Sequence, residues 1–247
     1  MDRRHFLAYS SLGILGIPVL GCLGQGVPLL KKGQVIACFG DSITYGNGEG
    51  YVEMLQEHAT KNRPEMGLTF LNWGKSSETV TGLTEEEHPG PRPYLFERLD
   101  ALLESRPIDL ALFCYGINCG IYGKPSARLF DSFTTGIYTF LEKLKQRNIK
   151  ALLLTPPPLV LDVVPIQTKN TKRPYGYLNP YPEYEEKVLQ PFTKIVLQLR
   201  HSQLIARIDI HTPLLENRGA YYDKDPIHPN IQGHRCITET LIHKLGI

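Results

Sequence analysis

The chain has 247 residues, 42% hydrophobic and 21% charged, which suits one sizeable core and excludes a disordered or low-complexity chain. Lys and Arg total 27 against 25 Asp and Glu, a formal charge of +2; without residues 1–21, which hold two Arg and one Asp, it is +1. The basic residues are scattered, so nucleic acid is not an expected partner, and no internal repeat is visible.

Arg3 and Arg4 precede an apolar run from Phe6 to Leu20, followed by Gly21 and Cys22. A basic start, a short apolar region and small residues at its end read as a secretory signal over residues 1–21. The run is too short, and too interrupted by Ser, Tyr and Gly, to read as a bilayer span. Arg3-Arg4-His5-Phe6-Leu7 resembles the twin-arginine export motif, with Asp2 where Ser or Thr is usual. Leu20-Gly21-Cys22 resembles the lipobox of bacterial lipoproteins, which implies cleavage before Cys22 and a lipid on its sulfur. The expectation is an exported, cell-envelope protein, either anchored to the membrane through Cys22 or periplasmic. The alternative is a buried N-terminal helix with Cys22 as a small hydrophobe.

Residues 22–33 then read as a tether and residues 34–247 as one domain. Val35-Ile36-Ala37-Cys38-Phe39 is an unbroken apolar run, the pattern of a strand buried on both faces. Gly40 permits a sharp turn into Asp41 and Ser42. Helical spacing follows at Tyr51, Met54, Leu55 and His58, and a second strand covers Leu68 to Trp73, ending at Gly74. A helix is expected from Tyr94 to Ser105, a third strand from Ile108 to Tyr115, a helix from Asp131 to Arg147 and a fourth strand from Ile149 to Leu154. A long Pro- and Tyr-rich connection spans Thr155 to Pro182. Glu183 to His201 reads as helix, kinked or split by Pro191. Leu204 to Ile210 is the fifth strand and Asn230 to Leu245 the closing helix. Strands alternating with helices predict an α/β fold: a three-layer αβα, flavodoxin-like arrangement around a five-stranded parallel sheet. Of five cysteines, Cys38, Cys114, Cys119 and Cys236 show neither a disulfide framework nor metal-ligand spacing, and read as unpaired packing residues.

In a parallel sheet the residues after each strand gather along one edge, where such folds bind ligands. Gly40-Asp41-Ser42, Asn72-Trp73-Gly74, Gly116-Ile117-Asn118 and Asp225-Pro226-Ile227-His228 all fall there. Each has an ordinary alternative: Ser42 as a helix N-cap, Gly74 and Gly116 as turn glycines, Asn118 as a turn former. The last segment is more specific. Asp and Pro at the first two positions of a β-turn would bring the Cα atoms of Asp225 and His228 within about 7 Å. The carboxylate can then take the proton of one ring nitrogen and leave the other as a base for a hydroxyl.

On these residues the chain resembles the SGNH hydrolases, also called the GDSL esterase/lipase family, from about Val35 to Leu245. The family's four named residues fall on Ser42, Gly74, Asn118 and His228, and Asp225 matches its Asp-x-x-His block. Phe39-Gly40-Asp41-Ser42, Thr155-Pro156-Pro157-Pro158 and His228-Pro229-Asn230 agree with its flanking detail. Ile43, Cys119 and Pro226 depart from it without removing a catalytic group. The resemblance implies a serine esterase without cofactor or metal: Ser42 as nucleophile, His228 as base, Asp225 as its acid partner. It assigns the oxyanion to the Ser42 and Gly74 N–H groups and the Asn118 amide.

Asp223 competes with Asp225 as the acid, at a poorer spacing. Asp209 and His211 could face one way on the fifth strand as metal ligands, and His228 with His234 is a similarly weak pair; no further ligand supports either. In the long connection Lys169, Lys172, Arg173, Tyr175, Tyr177, Tyr181 and Tyr184 lie near the expected rim. The tyrosines either stack on a sugar ring or pack the loop onto the body. No large apolar lid is present in the sequence, so the expected substrate is a small-molecule or glycan ester with a short acyl group. A lysophospholipase or thioesterase, or a non-catalytic glycan-binding lipoprotein, are the alternatives.

Overall fold

The structure, a computed structural model, describes residues 29–163 and 174–247. The expected signal, Cys22, most of the tether, Lys169, Lys172 and Arg173 lie outside the described residues. Five strands, β1 (Val35–Gly40), β2 (Thr69–Gly74), β3 (Leu110–Cys114), β4 (Lys150–Leu154) and β5 (Leu204–Ile208), form one sheet. All pairings are parallel and the order is β2-β1-β3-β4-β5. β3 is buried at every residue and β1 at all but Val35, as their continuous apolar runs require in a sheet covered on both faces. β5, at an edge, alternates and exposes Ile205 and Arg207.

The helices are α1 (Ser42–Tyr45), α2 (Tyr51–Asn62), α3 (Leu99–Ser105), α4 (Ala127–Lys145), α5 (Gln190–Gln198), α6 (His211–Glu216), α7 (Arg218–Tyr221) and α8 (Ile231–Leu245). α2 packs on α8 and α4 on α5. Phe140 of α4 meets the rings of Phe39 and Phe113 at 5.2 and 5.0 Å, and Phe133 stacks on Phe192 at 3.9 Å, so aromatic contacts join α4 to the sheet and to α5. Among the described residues no helix is long and apolar enough to cross a membrane.

Several boundaries differ from expectation, each for a local reason. α4 begins four residues early because Ser126 Oγ accepts from Leu129 N–H at 3.2 Å and caps it. The helix expected from Tyr94 is a 3₁₀ turn at Leu95–Glu97 and then α3, interrupted at Arg98, whose guanidinium is drawn to Glu78 and the Trp73 carbonyl. The helix expected over Glu183 to His201 changes type just before Pro191: a wide π-helical turn at Glu185–Leu189 runs directly into α5, with Pro191 in the first turn of α5. β5 stops at Ile208 because Asp209 Oδ1 accepts from the N–H groups of His211 and Thr212 and starts α6.

Candidate active site

The order 2-1-3-4-5 places the chain reversal between β1 and β3, so the segments after those strands flank the crevice where such sheets bind ligands. At the end of β1 a side chain on Gly40 would put its Cβ 1.9 Å from Thr44 Oγ1 and 2.7 Å from the Cys114 carbonyl, so only glycine lets α1 fold back so tightly. Asp41, not Ser42, is the N-cap of α1: its Oδ1 accepts from Ile43 N–H at 3.0 Å. Burial pushes the Asp41 carboxyl up to about 7, against the Ile43 hydrogen bond and the charges of His228 and Arg92. With capping taken over by Asp41, the Ser42 hydroxyl is left for another partner.

That partner is His228. Ser42 Oγ lies 2.8 Å from His228 Nε2, across 186 residues of sequence. On the other side of the ring, His228 Nδ1 lies 2.7 Å from Asp225 Oδ2. Asp225 Oδ1 also accepts from the N–H groups of Ile227 (2.8 Å) and His228 (3.1 Å), so one carboxylate closes the turn and orients the ring. A carboxylate only accepts; in the neutral ring Nδ1 therefore carries the proton and Nε2 is free to accept from Ser42. The Asp225 hydrogen bond outweighs burial and holds the His228 imidazole above its usual range. Burial works against ionisation of Asp225, yet the contacts with His228 and Ile227 N–H leave its carboxyl below the usual range.

Asn118 follows β3 and is buried. Tyr122 Oη donates to its Oδ1 at 2.9 Å, which fixes the amide orientation. Its Nδ2 has no partner among the described residues, although Asn118 lines the same cleft as Ser42 and His228. Gly74 does not take the place expected for it. Its N–H donates to Asn72 Oδ1 at 3.0 Å and it does not line the cleft; a Cβ there would lie 2.3 Å from Tyr45 N, so this glycine serves the packing of β2 against α1. Two residues of this loop do line the cleft, Ser76 and Ser77, and Ser77 has a left-handed backbone with φ 63°. The Ser77 N–H has no acceptor among the described residues. Nothing in the sequence singled Ser77 out, since left-handed backbone is signalled by Gly or Asn, and Ser carries no such mark.

The competing candidates are engaged elsewhere. Asp223 Oδ1 accepts from Asn230 Nδ2 at 3.0 Å and supports the start of α8. Asp209 caps α6; His211 Nδ1 lies 2.8 Å from the Pro156 carbonyl and its Nε2 2.8 Å from Glu185 Oε1, so neither faces a metal-like set of donors. His234 stacks on Tyr51 with ring centroids 6.4 Å apart, and burial, with the His228 charge, drops its imidazole to about 4. Burial raises the Cys119 thiol to about 12, and Cys38, Cys114, Cys119 and Cys236 are all free. Tyr184 is buried, and Tyr177 alone of the loop tyrosines reaches the cleft.

The cleft itself measures about 340 Å³. Ser42, His228, Asn118 and Ser77 share it with Arg92 and Tyr122, and Ser76, His88, Pro89, Tyr177 and Ile227 complete the lining. A hydroxyl, an imidazole and a carboxylate in line at the ligand-binding edge of such a sheet are the equipment of a serine-type hydrolase. The comparisons with known proteins agree with that class. The model of the GDSL-like Lipase/Acylhydrolase family matches residues 38–236, and the chain belongs to that family of carboxylic ester hydrolases. An acetylxylan esterase from Geobacillus stearothermophilus is similar in structure, with a TM-score of 0.60 and 18% identity over 88% of this chain and 96% of that one. So is an alpha/beta hydrolase enzyme from the metagenome of Lake Arreo, Spain, with a TM-score of 0.59 and 18% identity over 88% and 97%. At such identities the likeness is one of fold. No curated protein sequence matches the chain.

Proposed function

We propose that this chain hydrolyses short-acyl esters, with O-acetyl groups on carbohydrates as the substrate class, through an acyl-enzyme on Ser42. The observation that carries the reading is the Asp225–His228–Ser42 relay, 2.7 and 2.8 Å between partners, beside the unpartnered Asn118 amide. Ser42 Oγ attacks the ester carbonyl while its proton passes to His228 Nε2, and Asp225 stabilises the imidazolium. The carbonyl oxygen becomes an oxyanion. It receives the Ser42 N–H, which as the first helical residue has no intrahelical carbonyl, the Asn118 Nδ2–H and, in place of Gly74, the Ser77 N–H. The C–O bond to the alcohol then breaks and His228 returns the proton to the leaving oxygen. Water repeats the sequence on the acyl-enzyme, giving its proton to His228, and the acid leaves as Ser42 regains it.

The small cleft favours a short acyl group, and Tyr177 at its edge supplies an aromatic face for a sugar. The structural likeness to an acetylxylan esterase supports the same substrate class. Residues 3–22 support export and lipidation at Cys22 as part of the proposal, which metabolic labelling with a radioactive fatty acid and a Cys22→Ala control would test. The activity is tested with p-nitrophenyl esters of increasing chain length beside acetylated xylo-oligosaccharides. Preference for acetyl and release of acetate from the glycan are expected. Preference for long acyl chains would move the assignment to a lysophospholipase or thioesterase, and no turnover of any ester would leave only a glycan-binding role.

A further inference from the structure

We propose that the buried Arg92–Glu85 ion pair is the positioning device of the oxyanion site, holding the Ser77 and Asn118 sides of the cleft in register. This rests on the acyl-transfer reading above. Arg92 and Glu85 are 5% and 4% exposed, and Arg92 lines the cleft. Arg92 Nε donates to Glu85 Oε2 at 2.6 Å and Nη2 donates to Oε1, so the carboxylate grips the guanidinium through two parallel bonds. The third nitrogen, Nη1, donates to the Ser77 carbonyl oxygen at 3.2 Å. The same guanidinium lies over the Tyr122 ring, its Cζ 5.6 Å from the centroid. Tyr122 Oη in turn donates to Asn118 Oδ1, the bond that leaves Asn118 Nδ2 unpartnered in the cleft.

One rigid planar group thus touches the loop after β2 through Ser77 and the loop after β3 through Tyr122. With its charge matched by Glu85, Arg92 is not set up as the counter-ion of an anionic substrate. A buried ion pair is a weak device for stability, since desolvation offsets most of the attraction, but its directionality fixes geometry. The backbone shows that geometry needs fixing here. Ser77, Ile121 and Tyr122 have φ of 63°, 48° and 52°, which side chains such as these rarely adopt and which persist only where the surroundings hold them. Arg92 contacts two of the three. Tyr181 N–H, donating to the Tyr122 carbonyl at 2.8 Å, and Tyr184, stacked on its ring at 5.2 Å, brace Tyr122 from the far side.

The test is steady-state kinetics on p-nitrophenyl acetate with Arg92→Lys and Tyr122→Phe, each alone and combined with Asn118→Ala. Lys keeps the charge and loses the fork; Phe keeps the ring beneath the guanidinium and releases the Asn118 amide. Each single variant is expected to lower kcat about tenfold or more, since ångström-scale misplacement has that effect, with KM within about twofold. In the Asn118→Ala background Tyr122→Phe should cost nothing further, because the group it orients is gone, and Arg92→Lys should cost less than it does alone. Should Arg92→Lys not fold, Glu85→Gln, which keeps the side chain's shape and loses the carboxylate that grips the guanidinium, takes its place in the cycle with the same expected effects. The inference is overturned if the variants alter KM rather than kcat, or if their effects on kcat add fully to that of Asn118→Ala. An unchanged kcat in Asn118→Ala alone is a different result: it overturns the oxyanion reading, and this inference with it.

Discussion

Replacing Asn118 by Ala separates the catalytic from the structural use of one side chain. Nδ2 has no partner among the described residues, so its loss should cost the folded state nothing, while Oδ1 accepts the Tyr122 hydroxyl at 2.9 Å. Tyr122 is fully buried, and orphaning its hydroxyl should lower stability by about 1–3 kcal/mol. In the transition state Nδ2 gains an oxyanion, and removing one such donor typically lowers kcat about 10²–10³-fold, or about 2.7–4 kcal/mol. KM for p-nitrophenyl acetate should stay within about threefold, because the donor acts mainly on charge that has not yet formed in the ground state. Asn118→Asp is the companion variant, keeping an acceptor for Tyr122 but presenting an oxygen where the donor was. It should lose at least as much kcat as Ala while recovering part of the stability. The assay is initial-rate kinetics at saturating substrate, paired with urea denaturation of each variant. A kcat within about threefold of wild type in both variants would refute the argument, because oxyanion donors seldom cost so little.

Three further outcomes concern pH. Activity needs the neutral His228 ring, and Asp225 holds that ring above its ordinary 6.5; kcat/KM should therefore rise with pH through an inflection above that value. Asp225→Asn should move the inflection down and reduce the plateau; an unmoved inflection means Asp225 does not set the ring's proton affinity. Asp41 has a folded value of about 7 against 3.8 unfolded, so the folded state holds a proton the unfolded chain has lost, and stability falls as pH rises between those values. Asp41→Asn, which keeps the cap acceptor, should gain on wild type by up to about 4 kcal/mol as pH goes from 4 to 8, and a gap independent of pH contradicts this. His234 works in the opposite sense. Its ring titrates at about 4 rather than 6.5, so the unfolded chain binds the extra proton and stability declines as pH falls from 6.5 to 4. His234→Phe, compared with wild type by denaturation across that range, should flatten the decline by about 3 kcal/mol; parallel curves would place the acid sensitivity elsewhere.

The sequence was most informative where local chemistry is strong. The run Val35–Phe39 and the fully apolar β3 could only be central strands, and the alternation of elements allowed few topologies besides the parallel order observed. Asp225 and His228 were readable because a Pro-containing turn brings residues three apart together, and the structure closes that turn through Asp225 Oδ1. What failed depended on side chains reaching across the fold. The Gly74 N–H falls to Asn72, whose own amide is held by the Thr44 and Tyr45 carbonyls and Glu53. Ser77 and Arg92 were invisible for the same reason. Their place in the cleft comes from the Glu85 clamp and a left-handed backbone, and no spacing in the sequence encodes either. The short helices α6 and α7 were overlooked, although Asp209 with Thr212 three residues on was a usable start signal.

The central claim is that Ser42 is a nucleophile activated by His228. Treatment with a fluorophosphonate probe, followed by intact-mass and peptide mass spectrometry, tests it without any assumption about the substrate. One adduct per chain is expected, on Ser42, absent from Ser42→Ala and greatly slowed in His228→Ala, with both variants folded by circular dichroism. A folded wild-type chain that takes up no probe, or takes it up equally in Ser42→Ala, would contradict the account.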